Sequence, residues 1–170
     1  YSDLAISPLL TGHPVSLAVL DYGLFKVHSN GRIIGICGYL IGTSAGEYVL
    51  IDSGFPRKYA QDFGAASTED RLYEFGEVLV CGPDNLPEAQ LARCGVDPDA
   101  IDLVIQTHTH IDHIGGIADF TQAPMLIAAA ERALPRPLYW GGVQPLEWPD
   151  RQYVILDEDC DIGPGFRVML

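Results

Sequence analysis

His108-Thr109-His110-Ile111-Asp112-His113 closes the apolar run Leu103-Val104-Ile105 and is followed by Gly115-Gly116. Three of the five histidines fall in this one string. Imidazole and carboxylate together suit zinc, iron or manganese. In an extended segment, residues two apart point the same way, so His108 and His110 are placed to bind one ion together. Asp112 and His113 lie where the chain turns toward a helix and are placed to address a second ion. The plain alternative is a polar loop at a strand end. That reading suits a lone histidine, not this cluster.

The string resembles the signature of the metallo-β-lactamase superfamily, a His-x-His-x-Asp-His motif after a buried strand. The resemblance extends upstream to Tyr48-Val49-Leu50-Ile51-Asp52-Ser53-Gly54, where the family places a strand ending in Asp-Ser/Thr-Gly beneath the metals. It also covers Asn85 to Gly95, as the helix leading into the motif strand, and is good from Gly38 to Phe120. Within the superfamily the chain is most similar to the N-acyl-homoserine lactonases. The similarity lies in a long aromatic insertion between Gly54 and Asn85, and in Gly116 to Glu131 with its Phe120-x-x-Ala123-Pro124 turn.

The resemblance implies an α/β fold, the four-layer αββα sandwich built of two similar halves with metals at their seam. This chain matches about the first half and stops where the family's next motif, carrying another histidine ligand, would begin. Residues 1–170 are therefore expected to form a single unit, the N-terminal part of a metallo-β-lactamase-fold domain. A lone sheet with helices on one side would leave its other side apolar and wet. The missing half is expected from another segment or from self-association, a dimer included.

The same resemblance implies two divalent metal ions, zinc first, with iron, manganese or cobalt suited by the same ligands. His108 and His110 would share one ion, and Asp112 and His113 the other, with further ligands from the absent half. The implied reaction opens the lactone ring of N-acyl-homoserine lactones, which is quorum quenching. Its nucleophile is a hydroxide between the ions, with a pKa brought from about 15.7 toward 7. Asp112 is also placed to relay a proton to the leaving alkoxide. Other hydrolases of the superfamily remain open: a glyoxalase II-type thioesterase, an organophosphate hydrolase or a β-lactam hydrolase. A di-iron electron-transfer or oxygen-reducing module is disfavoured, because that branch carries a carboxylate where this chain has His110. A half-domain that is inactive alone is the remaining alternative.

Asp52 either receives a ring N–H from a ligating histidine or caps the strand exit as an Asx-turn. Thr107 either orients its neighbours or reflects strand propensity. Gly115 and Gly116 either let a helix terminus approach the metals or form a plain turn. Tyr59, Phe63, Tyr73 and Phe75 are candidates for an acyl-chain pocket, with core or lid packing as the alternative. Trp140 and Trp148 either border its entrance or cover a sheet edge. His13 and His28 lack ligand spacing and are expected to be non-catalytic.

A net charge of −13, with no basic stripe visible in the sequence, argues against a nucleic-acid partner and disfavours anionic membranes. The expected partner is a small lactone with an apolar acyl chain. Cys37, Cys81, Cys94 and Cys160 are dispersed without a Cys-x-x-Cys pair, which favours a reducing, cytoplasmic compartment. The chain opens at Tyr1, which leaves a removed signal peptide open. No run reaches the length of a membrane span.

Leu17 to Val27 and Ile33 to Ile41 read as strands around a Ser29-Asn30-Gly31 turn, with a third strand over Glu47 to Asp52. Phe55 to Gly82 reads as a helical lid or an ordered loop. Asn85 to Cys94 reads as a helix with Asn85 as N-cap, Glu88 completing a capping box and Gly95 as its stop. Ile101 to Thr107 reads as a central strand. A helix from Gly115 to Phe120, a strand from Met125 to Ala128 and a short helix from Ala129 to Leu134 follow. Tyr153 to Leu156 and Phe166 to Leu170 are expected to pair across Gly163-Pro164-Gly165.

Overall fold

The computed structural model describes residues 8–170. Its frame is a seven-stranded sheet in the order β4-β1-β2-β3-β5-β6-β7. The strands are β1 (Pro14–Val27), β2 (Ile33–Thr43), β3 (Tyr48–Ile51), β4 (Gly76–Val80), β5 (Leu103–Ile105), β6 (Met125–Ala128) and β7 (Tyr153–Leu156). β1 and β2 pair antiparallel around a turn in which Gly31 adopts φ 68°. That left-handed conformation is where glycine costs least, as the Asn-Gly pair anticipates. β3, β5, β6 and β7 then run parallel, and their apolar runs suit strands covered on both faces.

Alternation along the strands sorts the side chains into two layers. Leu20, Tyr22, Leu40, Leu50, Val104 and Met125 face one side, packed against Tyr59 and Ala60 of α1 (Arg57–Glu69) and Leu91 of α2 (Pro87–Arg93). Val49, Leu103 and Leu126 face the other side, against Leu10 and Ile162. Ile162 belongs to a separate hairpin of β8 (Cys160–Gly163) and β9 (Phe166–Val168). This hairpin covers only the β3-β5-β6-β7 part of that face. Over β1 and β2, Val15, Leu17, Val19 and Tyr39 stay 61%, 65%, 66% and 37% exposed. The uncovered apolar side expected of a lone sheet therefore lies chiefly over the β1-β2 hairpin, with Val80 of β4 exposed beside it.

Several elements depart from the sequence reading. The aromatic insertion is neither a simple lid nor a loop. It holds α1, broken at Asp62 (φ −159°, ψ 92°), and the edge strand β4, which pairs with β1. α2 starts at Pro87 with Leu86 as its N-cap, so Asn85 is not the cap. With Asn85 capping, position N2 would be Pro87, which has no N–H to donate. The Asn85 side chain instead accepts from Gly82 N–H at 2.9 Å and donates to the Asp21 carbonyl at 3.1 Å. Glu88 pairs with Arg57 at 2.6 Å rather than closing a capping box.

No helix forms over Gly115 to Phe120. The segment makes successive turns, Ile117 N–H to Ile114 O and Asp119 N–H to Gly116 O. The Arg151 guanidinium donates to the carbonyls of Ile117, Asp119, Phe120 and Ala123 at 2.7–2.9 Å and so pins this run of turns from a distant segment. Tyr153–Leu156 joins the main sheet beside β6, and the Gly163-Pro164-Gly165 turn closes β8 onto β9. A tight turn pairs the residues adjoining it, and Asp157-Glu158-Asp159 separates β7 from that hairpin. α3 (Ala129–Arg132) is short, as expected.

Candidate metal centre

β3 and β5 are parallel neighbours, so the loops after them emerge at the same end of the sheet. The Asp52-Ser53-Gly54 turn and the His108–His113 string therefore meet. Asp52 N–H donates to Ile105 O at 3.0 Å, Ser53 N–H to His113 O at 3.1 Å, and Gly115 N–H to Gly54 O at 2.8 Å. A Cβ on Gly115 would lie 2.0 Å from the Phe55 carbonyl oxygen, so glycine is required there. The Gly116 N–H donates to Ser53 Oγ at 2.8 Å. These two glycines serve the seam between the two loops, and no helix begins at them.

The histidines of the string gather at this seam. The His108 and His110 rings are 4.9 Å apart, edge to face, and the His108 and His113 rings 4.1 Å apart. Asp112 Oδ2 lies 3.4 Å from His113 Nε2. All four candidate ligands are thus side by side, with His113 packed on His108 rather than set apart from it. Asp52, His108 and His113 each offer a ligand atom within 4.8 Å of the others.

Asp52 is already engaged. Its Oδ2 accepts from Thr107 Oγ1 at 2.6 Å and from His113 Nδ1 at 2.7 Å, and its Oδ1 accepts from Thr107 N–H at 2.8 Å. A carboxylate bound to a histidine's inner nitrogen turns the outer one toward an ion, so Asp52 has the geometry of a support, not of a ligand. Its left-handed backbone (φ 60°) aims the side chain back under the string. Thr107 also reaches His108 Nδ1 at 3.0 Å, so its hydroxyl does orient its neighbours.

Gln106, which the sequence reading did not single out, is 2% exposed and clamps the loop. Its Nε2 donates to the His108 carbonyl at 2.7 Å and the His113 carbonyl at 2.8 Å. A polar residue ending the run Leu103-Val104-Ile105 was the available signal. Thr109, also buried, donates to Glu131 Oε2 at 2.6 Å and accepts from Leu138 N–H.

The electrostatics fit a cation. Burial, with the charges of His113 and His110, lowers the His108 pKa, which keeps its imidazole neutral and its lone pair free. Burial works against a charge on His113, but Asp112 and Asp52 outweigh it and push its pKa up to about 10. Carboxylates that favour a proton there favour any cation there. Burial alone would raise the Asp112 pKa, yet its bond to His113 and that ring's charge bring it below the usual value. Three imidazoles and an ionised carboxylate form a donor set suited to zinc.

A cavity of about 370 Å³ opens beside these residues. Its walls are apolar, built chiefly by Phe25, Ile34, Ile36, Phe75 and Trp140. Of the aromatics singled out from sequence, only Phe75 and Trp140 line it. Tyr59 is wholly buried, while Phe63 and Tyr73 are exposed. Trp148 covers β7, edge-on to Tyr153 with its Nε1–H on Leu134 O. His13 and His28 bond elsewhere, to Ser44 Oγ and the Tyr73 carbonyl. Among the described residues, no helix is long and apolar enough to cross a membrane.

The chain belongs to the metallo-beta-lactamase superfamily, which its residues 38–169 match. It is 28% identical over 135 residues to the N-acyl homoserine lactonase AiiA of Bacillus thuringiensis subsp. kurstaki, covering 77% of this chain and 51% of the relative. A probable metallo-hydrolase of Mycobacterium tuberculosis is 30% identical over 132 residues, covering 76% of this chain and 40% of the relative. The chain thus spans about half the length of the lactonases it matches. A solved AiiA variant of B. thuringiensis with N-decanoyl-L-homoserine at its active site superposes with TM-score 0.69 at 21% identity, over 94% of this chain and 66% of that one. An N-acyl homoserine lactone hydrolase solved with N-hexanoyl-L-homoserine at its catalytic metal centre gives 0.68 at 21%, with the same coverage. These likenesses establish the fold: a metallo-β-lactamase-type α/β arrangement, matched over about two-thirds of those chains.

Proposed function

We propose that this chain carries part of the active site of a metal-dependent hydrolase that opens the lactone ring of N-acyl-homoserine lactones. The observation that carries this reading is the cluster of His108, His110, Asp112 and His113 at the mouth of an apolar cavity. His108 and His110 would hold one divalent ion, zinc first, and Asp112 and His113 a second. Two protein ligands per ion are fewer than the three of a catalytic zinc site. The further ligands are assigned to a counterpart of the family's second half, in keeping with the greater length of the curated lactonases. Ions bound here supply Lewis acidity and bring the pKa of water toward neutrality.

The protein's own share is positioning and proton transfer. Phe25, Ile34, Phe75 and Trp140 offer an acyl chain an apolar wall and exclude water. Asp52 and Thr107 hold the His113 and His108 rings by their Nδ1 atoms. Asp112, ionised at neutral pH, takes the proton released in water attack on one of its oxygens and returns it to the leaving alkoxide oxygen. A different superfamily hydrolase is the second reading, favoured by the mycobacterial relative.

The test is a hydrolysis panel of homoserine lactones of graded acyl length, a thioester, a phosphotriester and a β-lactam, run on the zinc-loaded parent protein. Lactone opening that strengthens with acyl length and is lost in His108→Ala supports the proposal. Intact lactones alongside rapid turnover of another substrate favour the second reading.

A further inference from the structure

The side chains behind the cavity converge on one buried carboxylate. Asp70, 2% exposed, follows α1 and accepts from Lys58 Nζ at 2.8 Å, Tyr59 OH at 2.7 Å and Tyr139 OH at 2.5 Å. Both phenols are buried as well. Burial first, then the bond to Asp70, raises their pKa values, so both remain donors. Lys58 supplies the counter-charge that a buried carboxylate requires.

Tyr139 links this cluster to the histidine string. Its N–H donates to Thr109 O and its carbonyl accepts from Ile111 N–H, both at 2.9 Å, bracketing His110 on either side. Its backbone is left-handed at φ 58°, a conformation that an aromatic residue keeps only where its surroundings impose it. Arg71, next to Asp70, is left-handed too, and its carbonyl accepts from Trp140 Nε1–H at 3.3 Å. Two strained residues on distant segments are therefore tied together at Asp70. The phenol hydroxyl is the one polar atom of the Tyr139 side chain, hence its one directional anchor.

We propose that Asp70 is a positioning residue for the metal centre, acting through Tyr139 to fix the backbone of residues 109–111 and so to aim His110 and hold the Trp140 wall. The inference rests on the reading of His110 as a ligand. A merely structural role would lower stability without coupling to His110. A role in aiming His110 must vanish once that ring is gone.

The experiment is a double-mutant cycle on zinc affinity by calorimetry, comparing the wild-type chain with Tyr139→Phe, His110→Ala and both together. Tyr139→Phe is expected to weaken zinc binding about tenfold, and to add nothing in the His110→Ala background. In the zinc-free chain it should also speed hydrogen exchange at the Ile111 and Tyr139 amides, with the Leu50 and Val104 amides unchanged. Asp70→Asn, alike in shape but with one acceptor oxygen replaced by an amide donor, is the second variant and should show the same pattern. Additive losses, or unchanged exchange at the two bracketing amides, overturn the proposal. Equal zinc affinity in wild type and His110→Ala overturns the ligand reading itself, an outcome visible without any change at Tyr139.

Discussion

Asp52 decides what the histidine string can do, because it spends its acceptor sites on Thr107 and His113 and keeps the His113 ring in one orientation. Replacing it tests that role. Asp52→Asn tolerates the left-handed backbone but loses the charge and one acceptor oxygen, and is expected to weaken zinc binding about 10- to 100-fold with a smaller loss of stability than full removal of the carboxylate. Asp52→Ala should bind zinc as weakly and also lose about 1–3 kcal/mol of stability, because the Thr107 donors lose their acceptor. Calorimetric titration and denaturant unfolding separate the two. A second expectation concerns the thiols. Burial pushes the Cys81 thiol up to about 11, whereas Cys94 is exposed. A maleimide added to the native chain should label Cys94 early and Cys81 only on unfolding, as peptide mapping will report.

At the scale of elements, the seam between the β3 and β5 loops depends on a missing side chain. Gly115→Ala would drive a methyl into the Phe55 carbonyl, a backbone group that cannot rotate away. The seam must then open, at about 2–4 kcal/mol by analogy with other steric and strain substitutions, read from a lower denaturant midpoint. Glu47 does comparable work at the edge of the fold. It accepts from the Thr11 and Gly12 N–H groups and from Thr43 Oγ1, tying the chain before β1 to the β2-β3 turn. Burial would raise its pKa, but these bonds prevail and lower it. Its contribution is therefore present above the ordinary value of 4.5 and fades as pH falls through the depressed folded value. Glu47→Gln should flatten this acid limb of the stability–pH curve.

Elements whose partners lie close in sequence, or whose periodicity is strong, were legible. The Asn30-Gly31 turn, the apolar run into His108 and the strand at Met125 all emerged as read. Elements decided by distant partners were not. Gly76 to Val80 is strand because β1 offers it an edge, and Gly115 to Phe120 is a run of turns whose carbonyls the distant Arg151 gathers. The site divides in the same way. The ligand string announced itself by spacing, but Asp70, Tyr139 and Gln106 gain their roles only once the chain is folded.

For the whole molecule, the candidate centre lies where two loops meet at one end of the sheet, held by side chains from the loops after β3 and β5, by Asp70 after α1 and by Tyr139. The supporting contacts exist only in the folded state, so an ion that uses them binds the folded chain more tightly than the unfolded one. Binding is then linked to stability, by up to about 2.7 kcal/mol when free zinc stands a hundredfold above its dissociation constant. For a domain of this size each kcal/mol moves the melting temperature by about 2–4 °C. Zinc should accordingly raise the melting temperature by up to about 5–10 °C, and a chelator should reverse the rise. His108→Ala should melt near the metal-free wild type and respond little to zinc. A scanning-fluorimetry series across zinc concentrations checks this, and a zinc response retained in full by His108→Ala would place the ion elsewhere in the molecule.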